Sequence, residues 1–407
     1  MFNLFKNNLS QISEMLFLKL LLTGINRTNS ISKTLDTIGL KMLMSVVNGL
    51  ERMIDKEALN KTGITEHEVI YKDDLLSILH YSPLKEKMIK IGDKTLVVKD
   101  RTYRVPLVFI PPLLAPGFAF DLYPERSLAR FFLAKGFDVY LVDFGEPDKS
   151  HSHLSFEDYI LRWMAAAMAT IRRDSGSEEL SLYGYCMGGL FSLLYTSAHE
   201  DDKIKNIVTI ASPIDMHQMG AAGKVLSVVG LPAHKIARRL NISLKDIDPK
   251  YLHLPGFLGT IGFNLTNPAG VIKSQLDLLL NLWDRDYVVA HESLSHWINN
   301  LLDYPGNTLQ DIIVQMGLAN KLAREGSMNI GSKEAKLKSI NCSMLSFAGK
   351  TDQIVPIVSA QKILDVVSSQ DKKFSVVPGG HVGVIIGNQA PEHLWETSSG
   401  WLAERSN

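Results

Sequence analysis

Between Leu107 and Ile210 short apolar runs alternate with helix-length segments, a pattern that few architectures accept. Leu107–Ile110, Val139–Val142, Leu180–Tyr183 and Ile207–Ile210 are apolar almost throughout, as strands buried on both faces must be. Ser127–Lys135, Phe156–Ile171 and Gly189–Ala198 carry helical spacing between them. Strand and helix repeated in this order predict an α/β class with a mostly parallel central sheet covered on both sides. Glu68–Tyr71 and Thr95–Val98 predict a meander of strands ahead of it. After Ser212-Pro213 the alternation stops, and Met216 to Ile340 reads as helices and loops, with Val271–Leu282 and Tyr287–Leu302 the clearest helices. The sheet resumes at Met344–Phe347 and Phe374–Val377, and Leu394–Glu404 closes the chain as a helix.

This organisation gives a helical N-terminal region over residues 1–64, a core over 65–215 and 341–407, and a cap or lid insertion over 216–340 that governs access to a site. In the N-terminal region Phe5, Leu9, Ile12 and Leu16, then Ile31, Leu35, Ile38, Met42 and Val46, recur at helix spacing. Those stripes predict faces that pack on the core or on a partner chain, or that lie on a hydrophobic granule surface.

Charge and cysteine usage narrow the setting. Lys plus Arg and Asp plus Glu both number 43, so no global field recruits nucleic acid or anionic lipid, and only local patches can do so. The only cysteines are Cys186 and Cys342, with no CxxC or Cys/His cluster, which fits a reducing compartment and no metal site. Met15 to Leu22 is too short to span a bilayer, contains Lys19 and lacks a signal-peptide cleavage site. A cytoplasmic protein without a transmembrane segment is expected.

The local signal for chemistry is Gly184-Tyr185-Cys186-Met187-Gly188-Gly189, set between a predicted strand and a predicted helix. A nucleophile flanked by glycines in that context is an elbow, here with cysteine where serine is usual. The glycines let strand and helix converge around a strained residue. Cys186 would then sit at a helix N-terminus that favours thiolate, with the Met187 N–H as one oxyanion donor and Leu113 or Leu114 as the source of the second. In the α/β-hydrolase fold the acid and the histidine follow the nucleophile in that order on loops after strands. Asp352 follows Met344–Phe347, and His381 follows Phe374–Val377 behind Gly379-Gly380. Asp352 could equally cap a helix ahead of Val355-Pro356. Cys342, at a strand start, reads as a packing residue. His151 and His153 form an H-x-H without a third ligand at metal spacing, and His217, His291 and His296 read as structural or substrate-lining.

Cysteine in place of serine has a chemical consequence. Attack on a thioester by Cys186 exchanges one thioester for another, so the bound acyl group stays activated for transfer to a hydroxyl. Acyl transfer in ping-pong fashion is therefore expected, with hydrolysis as the alternative when water accepts the acyl group.

These motifs resemble those of the polyhydroxyalkanoate synthases. The elbow is similar to that family's modified lipase box, Asp121 to Leu128 to its D-L-x-x-x-x-S-L, and Leu141 to Pro147 to its L-x-D-W-G-x-P with Phe144 for tryptophan. Val208 to Asp215, Asp352 to Pro356 and Pro378 to Gly383 also fit, so the likeness covers roughly residues 65 to 405. It is greatest to the shorter synthases that act with a second subunit. The resemblance implies an α/β-hydrolase core with a helical cap insertion, Cys186 as acyl carrier and His381 as its base. It implies that Asp352 either orients His381 or assists the attacking hydroxyl, and it favours the second role. The implied reaction extends a polyester from (R)-3-hydroxyacyl-CoA with release of CoA and without metal or organic cofactor. The implied partners are the growing polyester or its granule surface, a second copy of the chain and a second synthase subunit. Two positions depart from the family pattern: Ala115-Pro116 stand where asparagine and a basic residue are usual, and Gln353 where histidine is. Three readings follow: a polyester synthase, a cysteine-dependent thioesterase or esterase of the same fold, and a non-catalytic granule-associated protein.

Overall fold

The computed structural model describes residues 30–240 and 247–407, which gather into two compact units. The larger comprises Ile64–Ile261 and Asn300–Asn407; the smaller comprises the described residues before Ile64 together with Gly262–Asn299.

The larger unit is built on an eight-stranded sheet. In chain order its strands are β1 (His67–Asp73), β2 (Leu76–Tyr81), β5 (Leu107–Ile110), β6 (Val139–Asp143), β7 (Leu180–Tyr185), β8 (Ile204–Ile210), β11 (Ser343–Gly349) and β12 (Lys372–Val377). Their spatial order is β1-β2-β6-β5-β7-β8-β11-β12. β1 and β2 pair antiparallel and β2 meets β6 antiparallel, whereas every other pairing is parallel. The four residues of β5 and the six of β7 are buried without exception, as strands covered on both faces require. Between strands lie α2 (Leu128–Ala134), α3 (Met164–Ser175) and α4 (Met187–His199), and α3 follows a π-helical turn at Glu157–Trp163. One continuous core joins the sheet to these helices through Val108, Ile110, Leu182, Leu190, Phe191 and Trp163.

The alternating pattern places every predicted strand of the parallel sheet, and two departures occur ahead of it. Glu68–Tyr71 falls in β1, but its partner β2 was not predicted; Asp74, with φ of 54°, makes the tight turn that joins them. Thr95–Val98 does not lead into the main sheet: β4 (Lys94–Val97) pairs with β3 (Met88–Ile91) as a separate hairpin. Within the segment predicted as helices and loops, β9 (Ser327–Ile330) and β10 (Lys333–Lys336) form a second hairpin. Helix α5 (Gly220–Arg239) opens that segment.

Among its described residues the smaller unit includes α1 (Ser30–Ile54), α6 (Pro268–Leu280) and α7 (Arg285–Asn299), with Leu59, Leu278 and Val288 buried together. Ion pairs reinforce it. Glu51 accepts from Arg285 at 2.9 Å, and the buried Glu292 takes Arg52 and Lys56. The Phe5 to Leu16 stripe lies outside the described residues. Of the second stripe, Ile38, Met42 and Val46 are exposed while Met44, Val47 and Asn48 on another face are buried.

Candidate active site

Cys186 is the single residue between the end of β7 and the start of α4, and it holds φ of 52° and ψ of −117°. A side chain at positive φ is strained, and the surroundings must enforce it. They do so by crowding. A Cβ on Gly188 would collide with the carbonyl oxygens of Ile110 and Pro111, one on Gly184 with the backbone of Gly189, and one on Gly189 with Ser212. The Cys186 N–H donates to Ile210 at 2.8 Å, so β8 fixes the elbow from the other side.

Gly188 packs on the carbonyls of Ile110 and Pro111, which brings the loop after β5 beside the elbow. Among the described residues the N–H groups of Leu113, Leu114 and Met187 have no protein acceptor. Met187 opens α4, so its N–H is one of the donors that no helical carbonyl can satisfy. Unpaired N–H groups of this kind are what an oxyanion requires.

Asp352 and His381 come together from neighbouring loops. The loop after β11 and the loop after β12 are tied by Lys350 N–H to Val377 and Thr351 N–H to Gly379, at 2.8 and 3.0 Å. Gly379 adopts φ of 113°, a conformation that glycine reaches without strain, and turns the chain back toward the sheet. His381 Nδ1 lies 2.8 Å from Asp352 Oδ2. Asp352 Oδ1 accepts the N–H groups of Ile354 and Val355, both at 2.9 Å. The two readings of Asp352 are therefore compatible: one oxygen caps the following turn and the other holds the imidazole.

Electrostatics couple this pair to the thiol. Burial drives the His381 imidazole toward neutrality. The negative charge on Cys186 and hydrogen bonds to Asp352 and Cys186 outweigh it and raise the pKa to about 10. Such surroundings favour the protonated imidazole at His381.

Two tyrosines complete the surroundings, and neither was singled out from sequence. Tyr185 donates its phenol to the His381 carbonyl at 2.9 Å, and its ring lies 5.4 Å from the imidazole. It is the variable position of the elbow motif, so a signal existed. Tyr304 has a phenol pushed up from its ordinary range by burial and by the charges of Cys186 and Tyr159. Nothing in Asp303-Tyr304-Pro305-Gly306 announces that. Tyr304 is placed by paired backbone bonds with Leu254, and Asp303 braces the same crossing through His253 and the Gly256 N–H, both at 2.7 Å. Two residues away the Leu302 N–H donates to the Leu114 carbonyl at 2.8 Å. The inserted segment is thereby bonded to the loop after β5.

His217 bonds the Gly317 carbonyl, His291 sits buried in α7 against Ser274, and His151 caps a turn with Asp148. Cys342 is free, and burial pushes its thiol up to about 12, which suppresses thiolate chemistry. Among the described residues no group of three His, Cys, Asp or Glu side chains is arranged to hold a metal ion.

Residues 106–239 match the sequence pattern described as the alpha/beta hydrolase fold, the class already defined by the sheet order and the strained elbow. Relatives narrow it. The poly(3-hydroxyalkanoate) polymerase subunit PhaC of Haloferax mediterranei is 28% identical over 345 residues, covering 84% of this chain and 65% of its own length. Its namesake in Allochromatium vinosum is 27% identical over 357 residues, covering 88% and 93%. That of Synechocystis is 25% identical over 365 residues, covering 88% and 90%. Over most of its length the chain is similar to these polymerase subunits. It spans just under two thirds of the Haloferax relative and nearly all of the other two.

Proposed function

We propose that this chain polymerises (R)-3-hydroxyacyl-CoA into polyester, with Cys186 as acyl carrier, His381 as its base and Asp352 as the group that orients His381. The observation that carries the reading is a cysteine at positive φ between strand and helix, electrostatically coupled to a histidine whose Nδ1 is held by a carboxylate. Cys186 Sγ attacks the thioester carbonyl. The oxyanion is received by the N–H groups of Met187 and of Leu113 or Leu114. CoA leaves as its thiol with the proton that His381 holds. The hydroxyl of the chain end or of a second monomer then enters, His381 takes its proton, and the alkoxide displaces Cys186 to form the ester. Asp352 keeps His381 in one tautomer throughout, and the two N–H groups on its other oxygen leave it poorly placed to serve the hydroxyl itself. The chemistry calls on no metal ion and no organic cofactor.

The named relatives are polymerase subunits, which supports action beside a second synthase subunit or a second copy of this chain. Two free cysteines suit a reducing cytoplasm, and we place the working protein there, at the surface of the polyester it makes. Among the described residues no helix is long and apolar enough to cross a membrane.

Incubation of the purified chain with 3-hydroxybutyryl-CoA, following free CoA and insoluble polyester together, tests the proposal. Both products are expected. CoA release with only free 3-hydroxybutyrate would make the protein a thioesterase, a reading that the departures at Ala115-Pro116 and Gln353 keep open. No CoA release from the chain with or without its partner would leave only the granule-associated role.

A further inference from the structure

Helix α5 turns one face to the protein and the opposite face to open solvent. Its inner face is Gly223, Leu226 and Gly230. A Cβ on Gly223 would meet the carbonyl oxygens of Met216 and His217 at 2.7 and 2.9 Å, and one on Gly230 the backbone of Leu318 at 3.1 Å. Leu226 reaches to 3.8 Å from the Cβ position of Gly317. The small residues thus let α5 lie close against the π-helical turn Ile312–Leu318. The outer face carries Val225, Val229 and Ile236, continued by Leu240 and flanked by Val228, at spacings that form one stripe. These side chains are 48 to 72% exposed. Lys224, Lys235 and Arg239 are exposed along one flank of that stripe.

Along α5 the charged residues in the sequence are all basic. No aspartate or glutamate occurs from Met216 to Lys245, whereas the stretch contains Lys224, Lys235, Arg238, Arg239 and Lys245. In a chain of zero net charge this is a run of cations with no anion within it, bounded by Asp215 before and Asp246 and Asp248 after. An apolar stripe edged by cations is the pattern of a helix lying in a lipid–water interface. Pairing with the same face of a second copy would juxtapose like charges, which disfavours that occupant.

We propose that α5 docks this protein on an anionic lipid surface, its apolar stripe in the acyl boundary and Lys224, Lys235 and Arg239 among the headgroup phosphates. None of these residues belongs to the Cys186 site, so the inference stands apart from the acyl-transfer reading.

The test is co-sedimentation of the full chain with vesicles of equal parts phosphatidylglycerol and phosphatidylcholine, and with phosphatidylcholine alone. The unaltered protein is expected to bind the anionic vesicles, to ignore the neutral ones and to be released by salt. Lys235→Gln with Arg239→Gln should weaken partitioning about thirtyfold at low salt, at roughly fivefold per basic residue. Val229→Ser with Ile236→Ser should also release the protein. Far-ultraviolet circular dichroism and CoA release of both variants should match the unaltered chain. Absence of vesicle binding, equal binding to neutral vesicles, or variants that bind as the unaltered chain does would each overturn the proposal. So would a serine variant that halves the molecular mass in solution without lipid, which would assign the face to a second copy.

Discussion

At the scale of single residues the site turns on who holds the proton between Cys186 and His381. With Cys186, Asp352 and their hydrogen bonds raising the imidazole to about 10 against the effect of burial, His381 should remain an imidazolium through neutral pH. Nitrogen-15 NMR should show this, and Cys186→Ala should lower the midpoint because one of the charges that raises it is gone. An imidazole that titrates near its ordinary value in the unaltered protein would refute the ion pair. The same geometry separates the partners. His381→Ala should give no acyl-enzyme in a rapid quench, since nothing then shares the thiol proton. Asp352→Asn should slow acylation itself by about 10⁴-fold, as the loss of an orienting carboxylate does elsewhere. Fast acylation followed by a stall would return Asp352 to the role of assisting the hydroxyl. Cys186, Asp352 and His381 could be picked out from sequence because each sits at a fixed place after a strand. Tyr304 could not, because its place depends on a backbone crossing with Leu254 that leaves no local mark.

At the scale of elements, glycines decide what the chain can and cannot do. Gly188 lets α4 come against the carbonyls of Ile110 and Pro111. Gly188→Ala is expected to destabilise the fold by about 1–3 kcal/mol in chemical denaturation, since rigid backbone must move to admit the methyl group. It should also cut acylation, because the displaced loop carries Leu113 and Leu114; a fully active, fully stable variant would contradict this account of the elbow. The buried strands were legible because burial on both faces leaves continuous apolar runs. β2 was not, because Leu76-Ser77-Ile78-Leu79-His80-Tyr81 interleaves polar residues at the antiparallel margin of the sheet. α5 was hidden for another reason. Gly223, Gly230 and Pro232 read as helix breakers, yet the glycines are its packing surface.

At the scale of the whole molecule, two units rely on different forces. The larger is held by a hydrophobic core around the sheet; in the described part of the smaller, ion pairs onto the buried carboxylates Glu51 and Glu292 add to an apolar cluster around Leu59, Leu278 and Val288. Burial alone would raise the Glu292 carboxyl, but hydrogen bonds from His291, Arg52 and Lys56 hold it near 2. Because its folded-state pKa is depressed, the stabilisation is present above the ordinary carboxylate range and lost as pH falls toward 2. Glu292→Gln should therefore speed amide exchange in α7 at pH 7 and do much less at pH 3, where the unaltered protein has begun to surrender the same contribution. Equal effects at both pH values would mean that Glu292 acts by shape and not by charge. A last consequence concerns exchange of parts between relatives. The Leu302 N–H bonds Leu114, Tyr304 pairs with Leu254, and Asp303 clamps His253 and Gly256, so the middle of the insertion is stitched to the loop beside the nucleophile. A chimaera that swaps residues 249–259 without 301–306 would leave one seam half sewn. The inserted segment is heritable as a set of matched pieces, and substrate range and rate should be expected to change together when it is replaced.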